Sequence, residues 1–317
     1  MVDRMQNKHV QTLLQGLSWP DQSQVMLIKE HCDPKSFFRP YLDMLPPTFD
    51  TPIYWTRAEA SELIGSPVLE RAIGARRELW QSFQKIKESV FDRASSDFPP
   101  ACCTYDRFVW SYSVIRSRAF GNYSLVPLID LMNHNPASRL APTLRNDGSE
   151  MLVSMSRLEA GDSVWGFYGH KSDSELVLNY GFSLAPDMNN PFNSAELRAQ
   201  LEVEGAHTAL TGGMKQLLLS SMGLPWPQIH KFDIYKGYIP PPLMTILRLN
   251  SVNDTDGELA VWKIGAGDAA PPGPLFGRNS ENRAGASPAA RIEGDAYARL
   301  ASLCGGRLAA YPTRMSD

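Results

Sequence analysis

Four side chains carry most of the chemical promise of this sequence: Asn133, His134, Tyr168 and Tyr180. Asn133 and His134 end the apolar run Leu125-Val126-Pro127-Leu128-Ile129-Asp130-Leu131-Met132 and precede Asn135-Pro136. Tyr168 lies in Phe167-Tyr168-Gly169, and Tyr180 in Leu178-Asn179-Tyr180-Gly181-Phe182. Polar and aromatic tips on apolar segments suit a site that holds a polar ligand against an apolar wall. Taken singly, each also has a purely structural reading, as a strand-end cap or as a core aromatic with a satisfied hydroxyl. Other chemistries find no support. The sequence has no Gly-x-x-x-x-Gly-Lys-Ser/Thr loop, no His-Glu-x-x-His helix and no Gly-x-Ser-x-Gly turn, so it lacks the signatures of nucleotide hydrolysis, zinc hydrolysis and ordinary serine catalysis. Gly265-Ala266-Gly267-Asp268-Ala269-Ala270 has the letters of a dinucleotide fingerprint, but Pro271-Pro272-Gly273-Pro274 follows, and no helix can open there.

The elements that must position these residues can be read from periodicity. Val10, Leu13, Leu14 and Leu17 predict one helix, and Val25 to Ile28 a second. Pro34 to Pro52, with five prolines and several aromatics, reads as an irregular lobe. Ile53 to Val90 is helical, with Ile73, Trp80, Phe83, Ile86 and Val90 on one face and Arg76, Arg77, Lys85, Lys87 and Glu88 on the other. After a loop at Ser95 to Ala101, Tyr105 to Arg118 predicts a helix that delivers Ser117, Arg118 and Phe120 beside the central stretch. There, Leu125 onward reads as a strand, and Met151 to Leu158 and Ser163 to Tyr168 as two more around the turn Glu159-Ala160-Gly161-Asp162. Ser172 and Glu175 form a capping box for a short helix that ends at Tyr180, with Gly181 as its C-terminal cap. A domain boundary is expected near Pro191. Beyond it the sequence predicts a helix after His207, another opening at Leu243, a linker at about 265–290 and a last helix from Ala296 to Tyr311.

With 317 residues, 43% of them hydrophobic and 21% charged, the chain can build two globular domains. A formal net charge of -3 offers no attraction to nucleic acid or to an anionic membrane, and neither is expected as a partner. Cys32, Cys102, Cys103 and Cys304 match neither a zinc-ligand spacing nor a disulfide framework, so no metal is expected and a reducing compartment is the default. No stretch approaches the roughly 20 apolar residues that span a bilayer. The residues after Met1 lack the apolar core of a secretory signal.

Taken together and in this order, the Asn-His pair, Phe167-Tyr168-Gly169, Lys171-Ser172-Asp173-Ser174-Glu175-Leu176 and Asn179-Tyr180-Gly181-Phe182 resemble the C-terminal half of a SET domain, the fold of S-adenosylmethionine-dependent protein methyltransferases. The resemblance is closest to the Rubisco large-subunit lysine methyltransferase group. It extends to Phe38 through Pro46, Arg116-Ser117-Arg118-Ala119-Phe120, Phe232 through Tyr235 and Leu247-Arg248-Leu249. It implies an α+β architecture: a β-rich SET fold over about 1–190, with a helical insertion at about 33–118 and a core at about 119–185. A mostly helical substrate-binding domain follows over 191–317. The family's opening strand and Gly-x-Gly loop have no counterpart before the first helix, so the chain is expected to begin inside the domain, and its C-terminal domain reads as shortened. Asp173 stands where the family usually has Asn.

What the resemblance implies chemically is methylation of a lysine on a non-histone protein, such as Rubisco large subunit or another plastid or cytosolic protein, in the chloroplast or the cytoplasm. S-adenosylmethionine would be the cofactor. Tyr180 would be the catalytic tyrosine and Tyr168 a second wall of the lysine channel. Asn133, His134, Arg118, Tyr180 and Phe182 would contact the cofactor, and Ser117, Arg118 and Tyr168 the substrate. Two other readings fit the same residues: an inactive SET-derived protein-binding module or gene fragment, and a protein-histidine methyltransferase. The histidine-modifying branch lacks the tyrosine that this chain keeps at Tyr180.

Overall fold

The computed structural model describes residues 8–121, 124–145, 150–185, 188–203, 209–253 and 288–312. They divide into two units, 1–193 and 194–317.

The first unit is organised around its second helix, whose middle is buried in the core. Helix α1 is Lys8–Gln15 and α2 is Trp19–Cys32, begun by Ser18, whose hydroxyl accepts from the Asp21 N–H. Gln24, Val25, Met26, Leu27 and Ile28 are all buried, so α2 has no solvent stripe at its middle. The reason is that it lies between two clusters. Val25, Met26 and Ile28 pack with α1 and with the Phe98 and Phe108 rings, while Leu27 packs with Leu42, Leu45, Trp110 and Val114. Two short helices follow, α3 at Arg39–Leu42 and α4 at Arg57–Ser61, then the long α5 at Pro67–Ile86, extended by a π turn over Lys87–Phe91. Helix α6, Tyr105–Arg118, is capped by Thr104 and buries Phe108 through Ser111 and Ser113 through Ile115. A helix gripped so closely along its length is a rigid mount for whatever lies at its end.

Beyond α6 the backbone departs from the sequence reading. Leu125 onward is not a strand. Leu128 takes a positive φ of 75° and Ile129–Leu131 is a single 3-10 turn, so Asp130 turns inward. Strand β1, Leu140–Leu144, pairs antiparallel with β2, Glu150–Ser154, Leu140 lying opposite Ser154. The sequence placed the partner of this region at 163–168, but that segment contributes only a parallel bridge between Gly166 and His134. Helix α7, Asp173–Tyr180, has both halves of the predicted capping box and ends at Gly181 with φ 81°.

Two further expectations are corrected. Ile73 and Trp80 are each half exposed, while Phe83, Ile86 and Val90 of the predicted face are buried together with Leu79. Cys32 and Cys102 form a disulfide, joining the end of α2 to the turn before α6. A sequence separation of 70 gives no local hint of that pairing.

In the second unit, β3 (Ser194–Ala199) pairs antiparallel with β4 (His230–Tyr235), Leu197 opposite Phe232, and both residues are buried. Helices α8 (Ala209–Ser221), α9 (Pro241–Ser251) and α10 (Pro288–Ala309) complete a core that includes Leu219, Ile246, Leu249, Ile292 and Ala296. The Arg248 guanidinium on α9 donates to both carboxylate oxygens of Glu293 on α10, at 2.7 and 2.8 Å. The predicted helix start at His207, the glycine-rich letters at 265–270 and all but the last three residues of the predicted linker lie outside the described residues.

Candidate active site

The C-terminal end of α6 opens onto a cavity of about 310 Å³ in the first unit, walled on one side by Ser117, Arg118 and Phe120 and on the other by Gly166, Tyr168 and Tyr180. A helix leaves its last carbonyls without intrahelical partners. The Ala119 N–H returns to the Ile115 carbonyl, so the helix itself offers nothing to the carbonyls of Ser117 and Arg118. The Ser117 hydroxyl is already committed, donating to the Ser113 carbonyl at 2.7 Å. What Ser117 presents to a ligand is therefore its backbone.

The opposite wall is an aromatic stack. The Tyr180 ring lies 4.8 Å from that of Tyr168, and Tyr168 lies 5.0 Å from the His134 imidazole, both pairs nearly parallel. Phe182 meets Tyr180 edge-on at 6.2 Å. Each ring is held by a different device. The Tyr168 hydroxyl donates to the Met132 carbonyl, and its backbone N–H donates to His134 Nδ1 at 3.2 Å. Tyr180 is carried by α7, which is tied to α6 by the Arg116 guanidinium donating to Asn179 Oδ1 at 2.8 Å. The Tyr180 hydroxyl has no hydrogen-bond partner among the described residues. Burial pushes the pKa of Tyr168 and of Tyr180 up; the nearby Arg118 offsets part of the shift at Tyr168, and Tyr168 adds to the shift at Tyr180. Both remain neutral phenols at physiological pH, suited to orienting a ligand rather than to removing a proton.

The floor holds a buried carboxylate that sequence reasoning missed. Asp130 Oδ2 accepts from the Tyr41 hydroxyl at 2.6 Å and stands 3.6 Å from Arg118 Nη1, which also donates to the Asp130 carbonyl. Arg118 Nε, Asp130 Oδ1 and His134 Nε2 are buried atoms without a hydrogen-bond partner among the described residues. Tyr41 is 89 residues from Asp130, and within an apolar run the acid looked like a strand residue.

Of the residues singled out from sequence, Ser117, Arg118, Tyr168 and Tyr180 meet on one cavity. Asn133, His134 and Phe182 do not line it; His134 and Phe182 stack against its lining tyrosines Tyr168 and Tyr180. Asn133 is exposed, and its carbonyl accepts from the Gly166 N–H at 2.8 Å, while the Asn135 N–H donates to the Gly166 carbonyl at 2.9 Å. In a parallel bridge of this kind the N–H and C=O of the middle residue, His134, point away from Gly166, and they have no partner among the described residues. His134 is buried, and burial holds its pKa below the usual imidazole value. The neutral ring accepts at Nδ1 and so carries its proton at Nε2.

No family model matches the chain. Among curated proteins it is 33% identical over 173 residues to a chloroplastic fructose-bisphosphate aldolase-lysine N-methyltransferase of Arabidopsis thaliana, a match covering 50% of this chain and 36% of that one. It is 30% identical over 252 residues to the chloroplastic Rubisco large subunit N-methyltransferase of Nicotiana tabacum, covering 74% of this chain and 49% of that protein. Among solved structures, Rubisco LSMT bound to sinefungin and monomethyllysine superimposes with a TM-score of 0.76 at 24% identity, covering 99% of this chain and 69% of that one. The chain spans about half the length or less of these two curated relatives. In sequence the chain is similar to lysine methyltransferases of the Rubisco LSMT-like group, and its fold is that of the SET-domain Rubisco LSMT structures.

Proposed function

We propose that this chain carries an S-adenosylmethionine-dependent protein-lysine N-methyltransferase site that acts on a non-histone protein. The observation that carries the reading is the placement of the Tyr168 and Tyr180 stack across one cavity from the open carbonyl end of α6. A lysine side chain has a pKa near 10.4, so presenting it as the neutral amine at pH 7 costs about 4 to 5 kcal/mol. The aromatic wall disfavours the ammonium and offsets part of that cost. The Tyr180 hydroxyl and the Ser117 and Arg118 carbonyls accept from the amine N–H groups and aim its lone pair. Fixing the amine in this way is worth roughly 7 to 11 kcal/mol of barrier when the geometry is right.

S-adenosylmethionine, when bound, supplies an electrophilic methyl group on sulfur. The residues present fit such a zwitterionic nucleoside. Among the described residues Arg118 Nε and Asp130 Oδ1 are buried without partners beside the cavity, and the His134 backbone has an unpaired donor and acceptor of the kind an adenine edge takes. Arg118, His134 and Asn133 would hold it, with Tyr180 and Phe182 closing the aromatic side. The second unit, from Ser194 onward, is assigned to gripping the protein substrate. Because the relatives are named for Rubisco large subunit and fructose-bisphosphate aldolase and are chloroplastic, those two plastid proteins are the first substrates to try. The retained Tyr180 favours lysine over histidine as the acceptor.

Calorimetric titration with S-adenosylmethionine tests the reading, with an Asn133→Ala, His134→Ala double variant as control. Micromolar binding that the variant loses supports it. No binding by the folded protein would leave an SET-derived binding module as the better description.

A further inference from the structure

We infer that Asp173 is a positioning residue for Tyr180, holding the end of α7 by closing the chain back on its start. The inference rests on the methyltransferase reading for its consequence, but its geometry stands alone. The capping box of α7 uses Ser172 and Glu175, so the Asp173 carboxylate is not needed to start the helix. It works at longer range. Oδ1 accepts from the Leu184 N–H at 3.2 Å and from Asn190 Nδ2 at 3.0 Å, while Oδ2 accepts from Asn193 Nδ2 at 2.6 Å. The Asp173 N–H in turn donates to Asn193 Oδ1 at 2.8 Å, making a reciprocal pair. Asn190 is buried and also donates to the Lys171 carbonyl at 3.0 Å.

These bonds make a closed loop of the segment that bears the site. It leaves Asp173, runs up α7 to Tyr180, turns at Gly181, passes Phe182 and returns at Leu184 to the carboxylate from which it started. Eight residues of helix are too few to hold their own shape in water, so the position of the last turn is set by what fixes its ends. Tyr180 needs that help most, because its hydroxyl has no partner among the described residues and its ring rests on the Tyr168 and Phe182 rings. An asparagine at 173 would offer one acceptor oxygen instead of two. Its amide would face the Asn193 amide, donor against donor.

The test uses the full chain with Asp173→Ala, Asp173→Asn, and Asp173→Asn combined with Asn193→Asp, which restores the reciprocal pair with its roles exchanged. Ring-labelled tyrosine NMR, with the Tyr180 signal assigned by Tyr180→Phe, reads the stack directly. The Tyr180 resonance should move in the two single variants and return in the double variant. Methyl transfer to purified Rubisco or fructose-bisphosphate aldolase reads the consequence. A displacement near 1 Å can cost about 100-fold in turnover, so kcat should fall by up to that factor in Asp173→Ala, with the Kd for S-adenosylmethionine changed less than about threefold. The double variant should recover most of kcat. An unmoved Tyr180 signal in folded Asp173→Asn and Asp173→Ala overturns the inference, as does equal loss of kcat and cofactor affinity. A signal that moves and returns in a chain that methylates neither protein supports the clamp and counts against the methyltransferase reading instead.

Discussion

Replacing Gly181 by alanine should misplace Tyr180 without removing any atom that could touch a ligand. Gly181 caps α7 at φ 81°, a conformation that costs an L-residue about 1 kcal/mol relative to glycine. The larger effect is steric. A Cβ at this position would lie 2.5 Å from the Asp50 carbonyl oxygen and 2.8 Å from its carbonyl carbon, both backbone atoms with no rotamer to escape into. Ordinary contact begins near 3.4 Å, so the end of α7 and the Asp50 backbone must part by about 0.9 Å, the difference between 3.4 and 2.5 Å. Overpacking of this kind costs about 1 to 3 kcal/mol, so the total destabilisation should be about 2 to 4 kcal/mol. Tyr180 is the residue next to the moving atom, and a shift of this size is enough to cost about 100-fold in turnover. Urea denaturation gives the first number, and initial rates with S-adenosylmethionine at saturation give the second. A variant within 0.5 kcal/mol of the parent that also keeps its rate would show that Gly181 and Asp50 do not make this approach, and the positioning argument would fail with it.

Tyr180→Phe should lower kcat far more than it weakens S-adenosylmethionine binding, because it removes a hydroxyl and leaves the ring stack; matched losses in kinetics and calorimetry would contradict the assigned role. Arg118→Met should destabilise the fold by about 3 to 5 kcal/mol by stranding the buried Asp130 carboxylate, and adding Asp130→Leu should recover most of that in denaturation curves. Reducing the Cys32–Cys102 bridge frees a long loop and should cost about 2 to 4 kcal/mol, read as a lower Tm in dithiothreitol that Cys32→Ser reproduces without reductant. His134 and His31 both have folded-state pKa values below the usual one, His134 through burial and His31 through burial and the nearby Arg107 and Arg39. Their contribution to stability is therefore complete above about pH 6.5 and is lost as pH falls below it, where the unfolded chain takes up protons that the folded chain refuses. A His31→Asn, His134→Asn variant should flatten the slope of stability against pH between about 6.5 and 5, and an unchanged slope would remove both residues from the account.

How much of this was legible in the sequence depended on how far apart the interacting residues lie. The sequence predicts helix α6 to the residue, with the Ser172 to Glu175 box and the Gly181 cap, because each signal is complete within a few positions. Strands failed for the opposite reason. Ser194 to Ala199 is made of residues that would as readily form a helix, and it is extended because Leu197 lies opposite Phe232 and both sides of the ladder are satisfied there. Leu140 to Leu144 carries a proline, which argues against a strand, while Ser163 to Tyr168 alternates well enough to suggest one and keeps only one bridge. The site shows the same division. Tyr168 and Tyr180 were found because their neighbours make recognisable words, but the groups that hold them were not. Asp130 is paired with Tyr41 across 89 residues, and Gly181 is pressed against Asp50 across the same unit. Nothing in the text around Asp130 separates a buried, partnered acid from an interruption in an apolar run. Asp173 is the instructive middle case. Its place at a helix start was plain, and that local role was a sufficient explanation that concealed the three bonds it makes to Leu184, Asn190 and Asn193. A residue with one good local reason to be present can still owe its identity to a second reason that only the folded chain reveals. In this protein those second reasons converge on the position of a single tyrosine ring.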